Sequence, residues 1–225
     1  MSPRTIAFGD VHGDSRSLKV LLDRIVPEKN DRLVFCGDLI DRGLDSKGVI
    51  EILIELSSRC EIILIRGNHE EICLEAHDQD PPDLSKWLSI GGQSTLDSYE
   101  TGIMPKSHLQ LLEKSVDFFE TDSCIFLHAN FNNGYKLEET PSRILRWEFL
   151  DVENPERIPK HYSGKTVILG HSTVGDNALD LGHLIALDTG AGMDEGWLTC
   201  FDLAENVFHA ANEFGVYRSY ARKSQ

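Results

Sequence analysis

The chain has no run of about 20 consecutive apolar residues, so it offers no membrane-spanning helix. It has no Cys-x-x-Cys pair, and its cysteines (Cys36, Cys60, Cys73, Cys124, Cys200) are scattered and odd in number. That excludes a thiolate zinc cluster and argues against a disulfide framework. Cys36, Cys124 and Cys200 sit in apolar, strand-like runs, as buried reduced thiols of a cytoplasmic protein would. There is no Asn-x-Ser/Thr sequon, and Met1 leads into a strand-like run without the apolar stretch of a signal peptide. Positive charge is scarce: 22 Lys and Arg stand against 37 Asp and Glu, giving a net charge of −15 and a pI near 4.9. Such a surface repels nucleic acid and anionic membranes, so neither is an expected partner. A phosphate site on it must be made locally positive by metal ions or arginine. No solenoid repeat or low-complexity tract is present.

The 225 residues suffice for one well-cored domain carrying a small lid. Their organising stretch is Gly37-Asp38-Leu39-Ile40-Asp41-Arg42-Gly43, which follows the apolar run Leu33–Cys36. Its glycines allow sharp turns. An Asp at such a strand end can bridge two metal ions, and an Arg there can fork onto phosphate oxygens. Before it, the run Thr5–Phe8 ends in Gly9-Asp10-Val11-His12-Gly13, and a helix follows with Leu18, Leu21, Leu22 and Ile25 on one face and Asp14 as N-cap. A second helix starts near Asp45 or Ser46, with Val49, Ile52, Leu53 and Leu56 together. A third run, Ile62–Ile65, closes in Arg66-Gly67-Asn68-His69-Glu70. The first third therefore reads β-α-β-α-β. Its strands are continuously apolar, as in a parallel sheet covered on both faces.

Residues 78–93 change character. Asp78-Gln79-Asp80-Pro81-Pro82-Asp83 is acidic and proline-rich, and Trp87 leads to Gly91-Gly92-Gln93. This reads as a loop or lid, with short helices near 94–100 and 107–114. The lid insertion spans about 78–115 of a single 1–225 domain. Strands follow at Val116–Glu120 and at Ser123–Leu127, which ends in His128-Ala129-Asn130. After a segment carrying Arg143, Arg146 and Trp147 comes Thr166–Leu169, ending in Gly170-His171-Ser172. Meandering strands fit His183–Leu187, Trp197–Leu203 and Val207–His209, and Arg218–Gln225 reads as a polar tail. The fold class is α/β (α+β): a two-sheet β-sandwich flanked by helices, one sheet from each half of the chain.

Five groups, Asp10-x-His12, Asp38-x-x-Asp41-Arg42, Asn68-His69, His128 and His171, each follow an apolar strand run. Ligands of open α/β sheets bind outside the carboxyl ends of the strands. Five strands would therefore deliver Asp, Asn, His and Arg to one edge. Carboxylate, imidazole and amide oxygen form a mixed donor set suited to Mn²⁺, Fe or Zn²⁺. The donors outnumber one ion's needs, so two ions are expected, about 3.5–4 Å apart, as in two-metal displacement sites. Gly190-x-Gly192 precedes a strand rather than a helix, so it reads as a tight turn and not as half of a dinucleotide fingerprint. His77, His108, His161, His183 and His209 have no partner motif and read as surface or core residues. Trp87 and Tyr99 read first as core packing and second as a stacking surface for a substrate base.

Gly9-Asp10-Val11-His12-Gly13, Gly37–Gly43, Arg66–Glu70, His128-Ala129 and Gly170-His171 together resemble the signature series of the calcineurin-like metallophosphoesterases. Arg42 and Glu70 in these contexts resemble the serine/threonine phosphatase branch, including its phage and bacterial members. The bis(5′-nucleosyl)-tetraphosphatases share much of the series. The resemblance covers about residues 5–190. It implies that Asp10 and His12 hold a first metal, that Asp38 bridges both ions, and that Asn68, His128 and His171 hold the second. It implies His69 as general acid oriented by Asp41, Arg42 on phosphate oxygens, and Arg146 as a second clamp with Arg143 as its competitor on the same segment. Manganese is the leading ion, with iron or zinc as alternatives. The implied reaction is direct attack by metal-bound hydroxide on a phosphate monoester, foremost phosphoserine or phosphothreonine in proteins. Hydrolysis of dinucleoside tetraphosphates or another nucleotide is the alternative, and an inactive binding scaffold the third reading. One departure matters. Leu187-Asp188-Thr189-Gly190-Ala191-Gly192 stands where the longer eukaryotic phosphatases carry an overhanging loop with a tyrosine, so their substrate groove does not transfer.

Overall fold

Glycine-closed apolar runs become short strands in the computed structural model, which describes residues 4–78 and 81–223. The first third is β1 (Thr5–Phe8), α1 (Ser15–Ile25), β2 (Arg32–Phe35), α2 (Ser46–Ser57), β3 (Glu61–Leu64) and α3 (Asn68–His77). The Asp14 carboxylate caps α1 by accepting from the Ser17 N–H at 2.9 Å, and Asp45 caps α2 by accepting from the Gly48 N–H at 2.9 Å. α4 (Ser85–Ser89), α5 (Gly92–Asp97) and α6 (Lys106–Glu113) fall in the segment expected to be a lid. Then come β4 (Phe118–Glu120), β5 (Cys124–Leu127), α7 (Ser142–Trp147), β6 (Thr166–Leu169), β7 (Leu179–Asp180) and β8 (Leu184–Ala186). β9 (Asp188–Thr189), β10 (Trp197–Asp202), β11 (Val207–Ala211) and β12 (Tyr217–Ala221) complete the chain.

Two sheets stack. The first runs β12-β11-β10-β1-β2-β3, with β9 also on β10; the second runs β4-β5-β6-β8-β7. β1, β2 and β3 are parallel, and β1 pairs antiparallel with β10, Phe8 opposite Cys200. Alternation along β1 and β2 explains why both read as continuously apolar. Ile6, Phe8, Leu33 and Phe35 face the helices, while Ala7, Val34 and Cys36 share a buried cluster with Phe201 and Phe208 of the same sheet and with Phe126, Ile168 and Ile185 of the second sheet. Phe8 and Phe35 stack at 4.5 Å, a pairing worth about 0.5–1.5 kcal/mol beyond the area it buries. Both faces of β1 and of Leu33–Phe35 in β2 are therefore dry, which directs chemistry to their carboxyl ends.

The structure differs from the sequence reading in three places. The second half does not make the second sheet alone, because β9–β12 extend the first. The parallel trio leaves the far edge of β1 unpaired, and β10 closes it. The expected polar tail contains β12, whose Tyr220 stacks on Phe208 at 5.1 Å and whose neighbour Arg222 pairs with Asp180 of the other sheet at 2.8 Å. The stretch around Trp87 is the helix α4 rather than loop. Met1–Pro3, Gln79, Asp80, Ser224 and Gln225 lie outside the described residues. All five cysteines are buried free thiols. No helix among the described residues is long and apolar enough to cross a membrane.

Candidate metal centre

The five strand-end groups meet at one edge. β1 and β2 are stitched there: the Val11 and His12 N–H groups donate to the Asp38 carbonyl at 3.0 and 2.8 Å, and the Gly43 N–H donates to the His12 carbonyl at 3.0 Å. Among non-glycine residues with positive φ are His12 (43°), Asp38 (48°), Asp41 (72°), Arg42 (66°) and His171 (62°). Each left-handed L-residue costs about 1–2 kcal/mol, so surrounding bonds must hold them. One such anchor is Glu70, fully buried at the start of α3. Its carboxylate accepts the N–H groups of Asp38 (2.8 Å), Leu39 (2.8 Å) and Gly67 (3.0 Å).

Asp38 lies at the middle of the cluster. Its Oδ2 is 3.5 Å from His12 Nε2 and its Oδ1 is 3.4 Å from His128 Nε2. His128 Nε2 is also 3.1 Å from Asn68 Oδ1. Backbone carbonyls fix the tautomers. His12 Nδ1–H donates to Ile40 O at 3.0 Å and His128 Nδ1–H to Cys36 O at 2.7 Å, so both turn an Nε2 lone pair inward. His171 is reversed: its Nε2–H donates to the Trp147 carbonyl at 3.2 Å, leaving Nδ1 for the cluster. The His171 N–H holds both oxygens of Asp10, at 3.0 and 3.1 Å. Two triads have donor atoms close enough to share an ion: His12, Asp38 and His69, and Asp38, His128 and His171. Asp38 belongs to both.

The residues suit cations. His12 Nε2 is buried without a hydrogen-bond partner and faces Asp38 and, at 3.9 Å, Asp10. Burial pushes His12 down to about 3, and burial followed by repulsion from His128 pushes His171 down to about 4. Both imidazoles therefore stay neutral, the form that binds metal. Burial, then repulsion from Asp188 and Asp38, drives Asp10 well above the usual carboxylate range. Two divalent ions would relieve this crowding of buried carboxylates. Close glycines make room for it: a Cβ on Gly67 would lie 2.1 Å from Asp38 Oδ1, and one on Gly170 would lie 1.9 Å from Asp10 Oδ1.

His69 is held differently. Its Nδ1 is 2.7 Å from Asp41 Oδ2, and its Nε2 is 3.3 Å from Arg42 Nη2. A guanidinium beside that nitrogen disfavours an ion there, which separates His69 from the ligand set even though it lies within reach. Burial lowers its pKa, but the Asp38 and Asp41 carboxylates outweigh that and raise it above the ordinary histidine value.

Strand-end chemistry of this composition, gathered around one shared aspartate, is matched by a family profile. The calcineurin-like phosphoesterase profile aligns with residues 3–188. The chain belongs to that family. Calcineurin-like phosphoesterases use a dinuclear metal centre, and the Asp and His groups around Asp38 could hold metal here. Serine/threonine-protein phosphatase 1 of Salmonella typhimurium is 40% identical over 85 residues, 37% of each chain. The symmetrical bis(5′-nucleosyl)-tetraphosphatase of Buchnera aphidicola subsp. Schizaphis graminum is 44% identical over 157 residues, 56% of each. The matched stretches thus span between about a third and just over half of these relatives. Among solved structures, a cold-active protein tyrosine phosphatase superposes with a TM-score of 0.70 at 16% identity, over 99% of this chain and 80% of that one. A serine/threonine phosphatase of Saccharomyces cerevisiae gives 0.65 at 13%, over 100% and 81%. At such identities these two likenesses establish the shared fold.

Arg146 stands apart from the other expected site residues. Its guanidinium is committed to Asp117 and Glu71, and Glu71 also accepts from the Trp147 indole. Arg143 is exposed on α7, along a cleft of about 460 Å³ shared with Lys86. Sequence reasoning missed Glu71, Asp188, Trp87 and Thr95. Asp188, in the quoted Leu187–Gly192 loop, is buried beside Asp10 and accepts from Thr173 Oγ1 at 2.8 Å and from the Gly190 N–H at 2.9 Å. Trp87 of α4 and Thr95 of α5 bond to Asp41.

Proposed function

We propose that the chain is a two-metal phosphomonoesterase acting on phosphoserine or phosphothreonine in proteins. The observation that carries the reading is the approach of Arg42 Nη2 to within 3.3 Å of His69 Nε2, beside the Asp38-centred ligands. A phosphate-binding cation and a proton donor thus face the same point. In this reading Asp10, His12 and Asp38 hold one ion, and Asp38, Asn68, His128 and His171 hold the other. Bound there, the ions would lower the pKa of a water and offset charge on the phosphoryl oxygens. Arg42 forks onto those oxygens and orients the ester. His69 would give a proton from Nε2, the atom beside Arg42, to the leaving oxygen, while Asp41 accepts from Nδ1–H and keeps the ring in place. Arg146 would join as a second clamp only by exchanging Glu71 or Asp117 for phosphate. Residues 1–225 act as one domain, with 78–115 as its lid.

Support for the protein substrate comes from the Asp41-Arg42 and Asn68-His69-Glu70 combination and from the Salmonella phosphatase relative. A specific observation favours the nucleotide reading. Phe149 stacks on His171 at 4.4 Å yet is 68% exposed, so its outer face can receive a nucleobase. The bis(5′-nucleosyl)-tetraphosphatase relative supports the same reading. The test compares kcat/KM of manganese-loaded protein on a phosphothreonine peptide and on diadenosine tetraphosphate, for wild type and Phe149→Ala. Peptide preference untouched by Phe149→Ala supports the protein phosphatase. Dinucleotide preference, with KM raised by Phe149→Ala, replaces it with the nucleotide reading. In either case Arg42→Ala should lower kcat/KM about 100-fold or more, as loss of charge-assisted phosphate contacts does. An unchanged value would refute the clamp.

A further inference from the structure

The Asp41 carboxylate is completely buried and has three side-chain partners, two of which come from the lid. Trp87 Nε1–H of α4 reaches both oxygens, at 3.0 Å to Oδ1 and 2.9 Å to Oδ2. Thr95 Oγ1–H of α5 donates to Oδ1 at 2.6 Å. Oδ2, shared with the Trp87 indole, also accepts from His69 Nδ1–H at 2.7 Å. Thr95 Oγ1 also accepts the Asp41 N–H at 2.9 Å, holding the backbone of a residue at φ 72°. We propose that Trp87 and Thr95 are positioning residues: from the lid they fix the plane of the Asp41 carboxylate, and through it the direction of His69 Nε2.

This rests on the reading of His69 as general acid. A buried indole needs some acceptor, and packing alone would account for the burial of Trp87, which lies on Gly92 and edge-on to His77 at 5.3 Å. Packing does not account for the choice of partner. A peptide carbonyl would satisfy the indole equally well, yet both lid donors converge on the carboxylate that addresses His69. A carboxylate free to rotate would let the imidazole swing, and a proton donor must sit within hydrogen-bond reach of the leaving oxygen to act. The lid therefore does more than cover the core: it completes the acid.

The test reads leaving-group dependence, because protonation matters more for a poor leaving group. Manganese-loaded wild type, Thr95→Val, Trp87→Phe, Thr95→Ser and His69→Asn are compared on phenyl phosphate and p-nitrophenyl phosphate. Thr95→Val and Trp87→Phe should lower kcat on phenyl phosphate roughly 10–100-fold, as loss of a residue that orients a functional side chain does. The loss on p-nitrophenyl phosphate should be several-fold smaller, with KM and bound manganese unchanged. Thr95→Ser, which keeps the hydroxyl, should restore the phenyl phosphate rate. Adding Thr95→Val to His69→Asn should cost nothing further. Equal losses on the two substrates, loss of metal, or a further loss in the His69→Asn background would overturn the proposal. If Trp87→Phe does not fold, the isosteric Thr95→Val decides. If His69→Asn itself discriminates no more than wild type, the acid role fails and the proposal falls with it. That failure is read on His69→Asn alone and so is distinct from failure of the lid residues.

Discussion

Gly67→Ala isolates how closely the backbone approaches Asp38, the aspartate shared by the two triads. Gly67 has φ −85° and ψ 173°, open to any residue, so adding a methyl group acts through contact alone. That methyl would lie 2.1 Å from Asp38 Oδ1, 2.5 Å from the Asp38 nitrogen and 2.9 Å from Glu70 Oε2. Reaching ordinary contact requires a shift of about 1 Å, several times the roughly 0.2 Å tolerance of a metal-ligand distance. The nitrogen cannot yield without breaking its bond to Glu70, so the displacement falls on Asp38. Overpacking of this kind costs about 1–3 kcal/mol. At about 2–4 °C per kcal/mol for a chain of this length, Tm should fall by about 2–12 °C. Bound manganese, measured by inductively coupled plasma mass spectrometry after dialysis, should fall well below the wild-type ratio. Gly134→Ala, whose Cβ meets nothing within 4 Å, is the control. Wild-type Tm and metal content in Gly67→Ala would refute the cradle.

Other predictions concern the surroundings of the cluster. Because burial holds His12 near 3, the folded metal-free protein keeps it neutral while the unfolded chain protonates it below its ordinary 6.5. Its contribution to stability is present above pH 6.5 and is lost as the pH falls toward 3. The urea-derived stability of wild type relative to His12→Gln should therefore decline by about 1.4 kcal/mol per pH unit between pH 6 and 4. A constant difference would contradict the assignment. Glu71→Ala should remove the acceptors of both the Trp147 indole and one Arg146 nitrogen, costing about 1–3 kcal/mol of urea-derived stability and lowering the denaturant midpoint. An unchanged midpoint would show that the two contacts carry no stability.

The gathering of the candidate ligands was legible because they follow apolar strands at the carboxyl ends, where a parallel sheet must place its chemistry. Asp10, His12, Asp38, Asn68, His128 and His171 are all drawn from such ends, and the structure gathers them. The support around them left no such trace. Trp87 and Thr95 reach Asp41 across 46 and 54 residues of chain. Nothing local marks that contact, and the Pro-rich start of the lid hides α4. Glu71 sits in the first turn of α3, and nothing local marks its role because its partners Arg146 and Trp147 lie 75 and 76 residues away. β12 was obscured by its polar alternation, which becomes meaningful only once Phe208 and Asp180 are seen to receive Tyr220 and Arg222. The partition of the sheets followed the order of the chain in the sequence reading, whereas the open edge of β1 decides it in space.

The most direct test of the account is the metal stoichiometry of wild type and Asp38→Asn, read beside p-nitrophenyl phosphate hydrolysis before and after chelation. The account predicts two manganese ions per reconstituted wild-type chain, activity that disappears on chelation and returns with manganese, and an Asp38→Asn protein lacking both ions and activity. Full hydrolysis by the chelated protein, or two ions retained by Asp38→Asn, would contradict it.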